Sequence, residues 1–220
     1  MKVLSVNVGL PVEVVWKDRT YRTGIFKKPI SGPVAIRTEN LDGDGQAELS
    51  VHGGIDKAVY AYPSEHYSFW REELSEIDIP LGMFGENLTT VGLSEDTVQI
   101  GDRYRVGSAE LIVTQPRMPC SKLEMRFQNK TMIKRFLASR RSGWYYSVAQ
   151  EGRVKAGDDI ELISREVNTV TVREVLGLHQ TTDPDPDLLR RVIRIEGLSE
   201  SWRDHFVKSL NRWIVGRNNC

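Results

Sequence analysis

Cys120 stands in Gln115-Pro116-Arg117-Met118-Pro119-Cys120-Ser121-Lys122, a lone thiol among two prolines, a guanidinium and an ammonium. Nearby cations favour the thiolate, the form that attacks electrophiles or binds soft metals. Free cysteines ordinarily fill gaps in a core. Arg117 and Lys122 are expected to resist full burial and to keep this thiol in a working site. A second string, Val51-His52-Gly53-Gly54-Ile55-Asp56-Lys57-Ala58, has adjacent glycines that let backbone N–H groups converge on an anion. The same string also describes a tight turn in which Asp56 bonds its own backbone. Phe84-Gly85-Glu86-Asn87-Leu88 frees the backbone beside polar side chains, or is a turn stabilised by Asn87. Lys27 and Lys28, ahead of Pro29, could bind phosphate or be solvated. Taken together, these groups would suit a ligand that is both phosphorylated and bound through sulfur. His52, His66, His179 and His205 are scattered and form no metal cage by spacing. No Gly-x-Ser-x-Gly elbow supports a serine hydrolase.

These residues need a scaffold. Glu110-Leu111-Ile112-Val113-Thr114 alternates as a strand does, so Cys120 should follow a strand end. Val98-Gln99-Ile100, Tyr104-Arg105-Val106 and Glu110 to Thr114, separated by Gly101-Asp102 and Gly107-Ser108, read as a meander. Met1 to Gly9, Val34 to Arg37, Trp144 to Val148 and Ile160 to Ile163 add strands. Many short strands with close turns predict a barrel or sandwich. Two helices interrupt them: one over 64–74, with Tyr67, Trp70 and Leu74 on one face, and one over 131–139. Around the second, Lys130, Lys134, Arg135, Arg140 and Arg141 read as solvated surface that could dock an acidic partner.

The pattern changes near Glu166. Thr171 to Glu174 has capping-box spacing and opens a helix closing near Gly177. Asp185-Pro186 starts a second helix, and Ser199 caps a third that carries Trp202, Phe206, Leu210 and Trp213 at helical spacing. Three short helices bury little alone, so they must pack on one another or on the sheet. Arg190, Arg191 and Arg194 would suit a helix-turn-helix reader of DNA, but a docking module fits better. The chain's 30 basic and 30 acidic residues cancel, so no bulk field draws nucleic acid or a membrane surface. No apolar run reaches membrane-spanning length, and the N-terminal run reads as a strand and not a signal peptide. Two cysteines make no disulfide framework, Cys220 is expected at a frayed end, and a cytoplasmic, reducing compartment is expected.

Lys27-Lys28-Pro29, Val51 to Gly54 with Asp56-Lys57-Ala58, Phe84 to Leu88, Ile100-Gly101-Asp102 and Gln115 to Cys120, in this order, resemble the MOSC domain family. These are the molybdenum-cofactor sulfurase C-terminal-like domains. The tail resembles the three-helix extension of YiiM-type members. The resemblance implies a mainly β fold with α: a MOSC-type β-barrel over 1–165 with interrupting helices, and a small three-helix region over 166–220. It implies that the barrel binds the molybdenum cofactor (molybdopterin), with Cys120 as the thiolate on molybdenum and as the catalytic residue. A single protein ligand is enough there, because the pterin dithiolene supplies the other sulfurs. Arg117, Lys28 and Lys27 would neutralise the phosphate or contact the pterin. His52 and Asn87 would orient the pterin or gate substrate.

Relatives of this kind reduce small N-hydroxylated compounds, such as hydroxylaminopurine-type bases and amidoximes, by two-electron removal of oxygen. This chain lacks the four clustered cysteines of an iron–sulfur domain and any dinucleotide fingerprint. Electrons are therefore expected from a separate flavin or iron–sulfur reductase, with the helical tail as a docking surface. Two other readings stay open. One is a protein that carries the cofactor or its sulfur without turnover. The other is a metal-free cysteine nucleophile paired with His52.

Overall fold

The computed structural model describes residues 1–47 and 53–218, with the side chains of 216–218 set aside. His52 and Cys220 lie outside the described residues. The strands are β1 (Lys2–Val8), β2 (Val12–Trp16), β3 (Arg19–Thr23), β4 (Lys28–Pro29), β5 (Val34–Ile36), β6 (Val59–Pro63), β7 (Leu88–Val91), β8 (Arg103–Val106), β9 (Ala109–Pro116), β10 (Trp144–Gln150), β11 (Gly152–Val154) and β12 (Ile160–Ser164). The helices are α1 (His66–Glu73), α2 (Ser121–Phe127), α3 (Met132–Ser139), α4 (Val172–Gln180), α5 (Pro186–Ile193) and α6 (Glu200–Asn218).

Eight strands form one sheet in the order β12-β8-β9-β10-β6-β7-β1-β4. Only β6 and β7 run parallel among its neighbours. The fold is mainly β with α, as expected, but among the described residues no ladder closes the sheet into the expected barrel. Instead β1 meets the turn before β12 through a single bridge, Lys2 to Asp159. Val3 N donates to Asp158 O at 2.9 Å and Ile160 N to Met1 O at 2.9 Å. Gly157 has φ +93°, and this turn delivers Asp158 O and Ile160 N to the start of β1 without a paired strand. The hairpin β2–β3 stands apart from the large sheet.

The tail helices join the sheet's core. Val172, Val175, Leu189, Val192, Ile195 and Phe206 belong to the same buried cluster as Val6, Leu111 and Val113. Local chemistry starts the helices as the spacing predicts: Thr171 Oγ1 accepts from Glu174 N at 3.1 Å, and Glu174 Oε2 accepts from Thr171 N at 2.7 Å. Asp185 Oδ1 accepts from Asp187 N at 2.9 Å ahead of Pro186. Two details differ from expectation. The first of these helices continues past Gly177 to Gln180, because Gly177 does not take the positive φ that would cap it there. Ser199 precedes the third helix, but its buried hydroxyl makes no cap bond. Arg190 and Arg191 face Asp187 (2.6 Å) and Glu174 (4.0 Å) on the extension itself.

Val98-Gln99-Ile100 forms only an isolated bridge, Gln99 to Thr171, in place of the strand its alternation predicts. Asp102 Oδ2 accepts Gln99 N at 3.2 Å, folding the segment back on itself. Gly101, at φ +86°, then lies against the tail: a Cβ there would meet Ile195 Cγ2 at 3.1 Å. The Ile-Gly-Asp string is therefore the joint that receives the helices. Arg165 closes it on Asp102 at 3.2 Å.

Candidate functional site

The sheet ends in an open cavity of about 710 Å³ of empty space, its mouth to solvent included, that collects residues from six separate stretches of chain. Cys120 lies in its wall at the N-cap position of α2, half-buried, where β9 has ended and the chain turns into the helix. The expectation that its cationic neighbours would be exposed does not hold. Arg117 is 5% and Lys122 is 7% exposed, yet both line the cavity. For the Arg117 guanidinium, whose Nη1 has no partner among the described residues, the cavity is the place where a counter-charge could bind. Lys27 and Lys57 also line it, so four cations share the wall with one carboxylate, Asp44, among the described residues. Such a lining favours an anionic ligand.

Arg117 comes directly after β9, and its backbone N reaches Gly143 O at 3.4 Å. Its guanidinium lies 5.5 Å from the Tyr60 ring and 5.1 Å from the Phe136 ring. Nη1 is buried with no hydrogen-bond partner among the described residues. Burial works against its charge, but Tyr60, Tyr145, Cys120 and Tyr62 outweigh that and leave its pKa raised. A buried guanidinium with an orphan donor beside a cavity is prepared for an oxyanion. Tyr60 and Tyr145 pair across β6 and β10, with ring centroids 5.1 Å apart. Tyr60 donates to Ser142 O at 2.9 Å, so its hydroxyl is committed. Burial pushes the Tyr145 phenol up while Arg117 pulls the other way. With Phe84 and Met118, these rings make the apolar part of the wall.

Behind the wall is a buried polar network. Lys27 donates to Asp44 in a short ion pair, and both residues are more than nine-tenths buried. Asp44 Oδ1 also accepts Gly9 N at 3.0 Å, and its Oδ2 accepts Asn87 Nδ2 at 2.9 Å. Asn87 Oδ1 accepts Tyr60 N at 3.1 Å, and its second amide hydrogen is directed at Asn7 O (3.4 Å). Asn87 lines the cavity, but its amide hydrogens are taken, so it positions Asp44 and Tyr60. Glu86 anchors the same turn, accepting Gly82 N at 2.9 Å and Phe84 N at 3.1 Å.

Of the residues singled out by sequence, the structure brings Cys120, Arg117, Lys27 and Asn87 to one cavity. Lys28 is not among them. It is exposed on β4, where strand alternation turns it away from Lys27. Asp44, Tyr60, Tyr145, Phe84 and Met118 carry the rest of the wall. The two tyrosines in Val59-Tyr60-Ala61-Tyr62 and the Trp144-Tyr145-Tyr146 run held the signal for this aromatic wall. Nothing around Asp44 in sequence distinguishes it from a turn aspartate. Gly24 closes the cavity rim against Gly45: a Cβ on Gly24 would lie 2.1 Å from Gly45 O. Gly24→Ala is expected to push these loops apart and cost about 1–3 kcal/mol in a urea melt. A variant as stable as the wild type would show that the rim adapts freely.

The MOSC domain model matches residues 48–161, and the YiiM-like, 3-alpha helix domain model matches residues 170–212. The uncharacterized protein YflK of Bacillus subtilis is 41% identical, over 96% of this chain and 96% of its own. A protein named reductase from Gibberella moniliformis is 39% identical, over 65% of this chain and 26% of its own length. The crystal structure of YiiM from Geobacillus stearothermophilus superposes with a TM-score of 0.80 at 33% identity, over 95% of this chain and 98% of that one. The aligned parts thus include the sheet, the cavity and the tail, and this chain belongs to the MOSC domain family, with the YiiM-like three-helix domain as its C-terminal part.

Proposed function

We propose that this protein holds the molybdenum cofactor through Cys120 and reduces small N-hydroxylated compounds to amines. The observation that carries this reading is one cavity with a half-buried thiol, four cations and, on Arg117, a buried donor without a partner among the described residues. MOSC domains are associated with this cofactor in general, and one relative is named a reductase. The donor set fits the group. Cys120 offers a soft thiolate, while Arg117, Lys122, Lys27 and Lys57 offer cations for a phosphate-bearing pterin. Among the described residues no trio of His, Cys, Asp or Glu could hold a metal ion, so the remaining ligands would have to come from the cofactor's own sulfurs.

When bound, molybdenum supplies the two-electron chemistry that removes the N–OH oxygen. The balance is R–NHOH + 2 e⁻ + 2 H⁺ → R–NH2 + H2O. Arg117 would bind the phosphate or pterin edge, its second face resting on the Phe136 and Tyr60 rings. The Lys27–Asp44–Asn87 network fixes the wall behind it. Tyr60, Tyr145, Phe84 and Met118 exclude water and give a planar substrate an apolar surface. Tyr145, kept protonated by its burial, and Lys57 are cavity groups that hold exchangeable protons. No helix among the described residues is long and apolar enough to cross a membrane. A cytoplasmic setting with a separate reductase belongs to the same reading.

The test uses protein purified from a host that makes the cofactor, reduced with a viologen dye and mixed with N-hydroxyadenine. Adenine formed over many turnovers is expected. Cofactor-loaded, reduced protein that forms no adenine and no other amine would leave a carrier of the cofactor as the function.

A further inference from the structure

Charge is not spread evenly over this neutral chain. Residues 121–141 hold seven cations and one carboxylate, Glu124. That segment is α2, the turn after it and α3, and it begins one residue past Cys120. Some of these cations are engaged. Lys122 is buried in the cavity wall. Arg126 and Arg141 lie over Phe26 and Phe69, at 4.8 and 3.8 Å, and Arg135 faces Glu73 at 3.6 Å. Lys130, Lys134 and Arg140 are exposed and make no ion pair among the described residues.

Their position matters more than their number. On α3, Met132 and Phe136 point inward and are fully buried, while Lys134 and Arg135 face solvent. The Phe136 ring lies 5.1 Å from the Arg117 guanidinium, which lines the cavity. One helix, about 10–12 Å across, therefore separates a basic outer surface from the site. The proposed reaction needs two electrons per turnover, and the two cysteines of this chain cannot hold an iron–sulfur cluster.

We infer that the outer face of α3, with Lys130, Lys134 and Arg140, is the docking surface for an acidic electron-transfer flavoprotein. The inference rests on the reductase reading above. In balance, the partner's flavin hydroquinone gives two electrons and two protons and becomes the oxidised flavin, while R–NHOH becomes R–NH2 and water. Charge complementarity would raise the encounter rate and place the flavin over the helix nearest Arg117. The tail helices are a poorer surface for this, since Arg190 and Arg191 already face Asp187 and Glu174. Nucleic acid is a poorer occupant, because three unpaired cations on a neutral protein would neutralise few phosphates.

The experiment titrates the cofactor-loaded protein with a flavodoxin-class FMN protein at low and high salt. The triple variant Lys130→Glu/Lys134→Glu/Arg140→Glu is compared with the wild type. All three residues are solvent-facing, and a thermal melt checks that the variant folds. Lys130→Gln/Lys134→Gln serves if it does not. Salt-sensitive binding that weakens roughly tenfold or more in the variant supports the surface. Equal binding by both proteins, or none by the wild type, overturns it. So does a single-stranded DNA oligonucleotide that binds the wild type, and not the variant, in place of the flavoprotein. Viologen-driven reduction of N-hydroxyadenine, which needs no docking, is expected to be unchanged in the variant. Its failure in the wild type would sink the proposed reaction, and the titration would still judge the surface.

Discussion

Cys120→Ala, made in a host that synthesises the cofactor, is expected to fold normally and to emerge almost without molybdenum. The wild type is expected to carry molybdenum and pterin in near-equal amounts. Removing the one thiol in the cavity wall among the described residues should lower metal retention by about two orders of magnitude, since even indirect supports of a metal ligand are worth ten- to a hundredfold. Pterin should fall with the metal, because Arg117, Lys122, Lys27 and Lys57, which line the cavity, would hold only the anionic end. Stability should change by less than about 1 kcal/mol: Cys120 is half-buried, and its side chain makes no capping bond to α2. That separates loss of a ligand from loss of the fold. Metal analysis, pterin fluorescence and a denaturant melt on both proteins make the check. A wild type that folds but holds neither metal nor pterin would sink the molybdoenzyme reading. Cysteine-nucleophile chemistry would then lead, and alkylating Cys120 should abolish an activity that needs no molybdenum.

The site was legible in sequence wherever unusual residue types were adjacent. A thiol with Arg117 and Lys122 within three residues is uncommon enough to stand out without a structure. The three tail helices were legible because capping and periodicity agree at Thr171 and at Asp185-Pro186. What could not be read was set by long-range pairing. Central strand β6 is a continuous buried run, Val59 to Pro63, which shows no alternation to detect. Helix α2 begins at Ser121 within the string read as a loop after a strand. Val98 to Ile100 alternates like a strand, but Asp102 and Gly101 fold it into a joint. Asp44 lies 17 residues from Lys27 and 43 from Asn87, so no local pattern links the three. The burial of Arg117 and Lys122 was misjudged for a related reason. The cavity that both residues line becomes visible only when six stretches of chain meet.

Asp44→Ala is expected to be the most destabilising substitution in the cavity wall. It leaves the Lys27 ammonium buried, and removing one partner of a buried ion pair costs about 3–5 kcal/mol. It also strands Gly9 N and one amide hydrogen of Asn87, which both donate to Asp44. Lys27 gives the effect a signature in pH. Burial already holds its pKa below the ordinary lysine value, against the opposing pull of Asp44 and Glu86. Without Asp44, the folded protein releases that proton at a still lower pH, while the unfolded chain keeps it up to about 10.4. The unfolded state then binds more protons, so stability rises with pH across that window, more steeply in the variant than in the wild type. Adding Lys27→Met removes the stranded charge, so the double variant should regain most of the loss and become flat across the same pH range. Urea melts of the two single variants, the double variant and the wild type at neutral and alkaline pH give the cycle. If Asp44→Ala loses less than about 1 kcal/mol, or if Lys27→Met fails to rescue it, the pair is not what holds the wall. In the expected case the rescued double variant should still bind cofactor more weakly than the wild type, because it lacks one of the four cations that face the cavity.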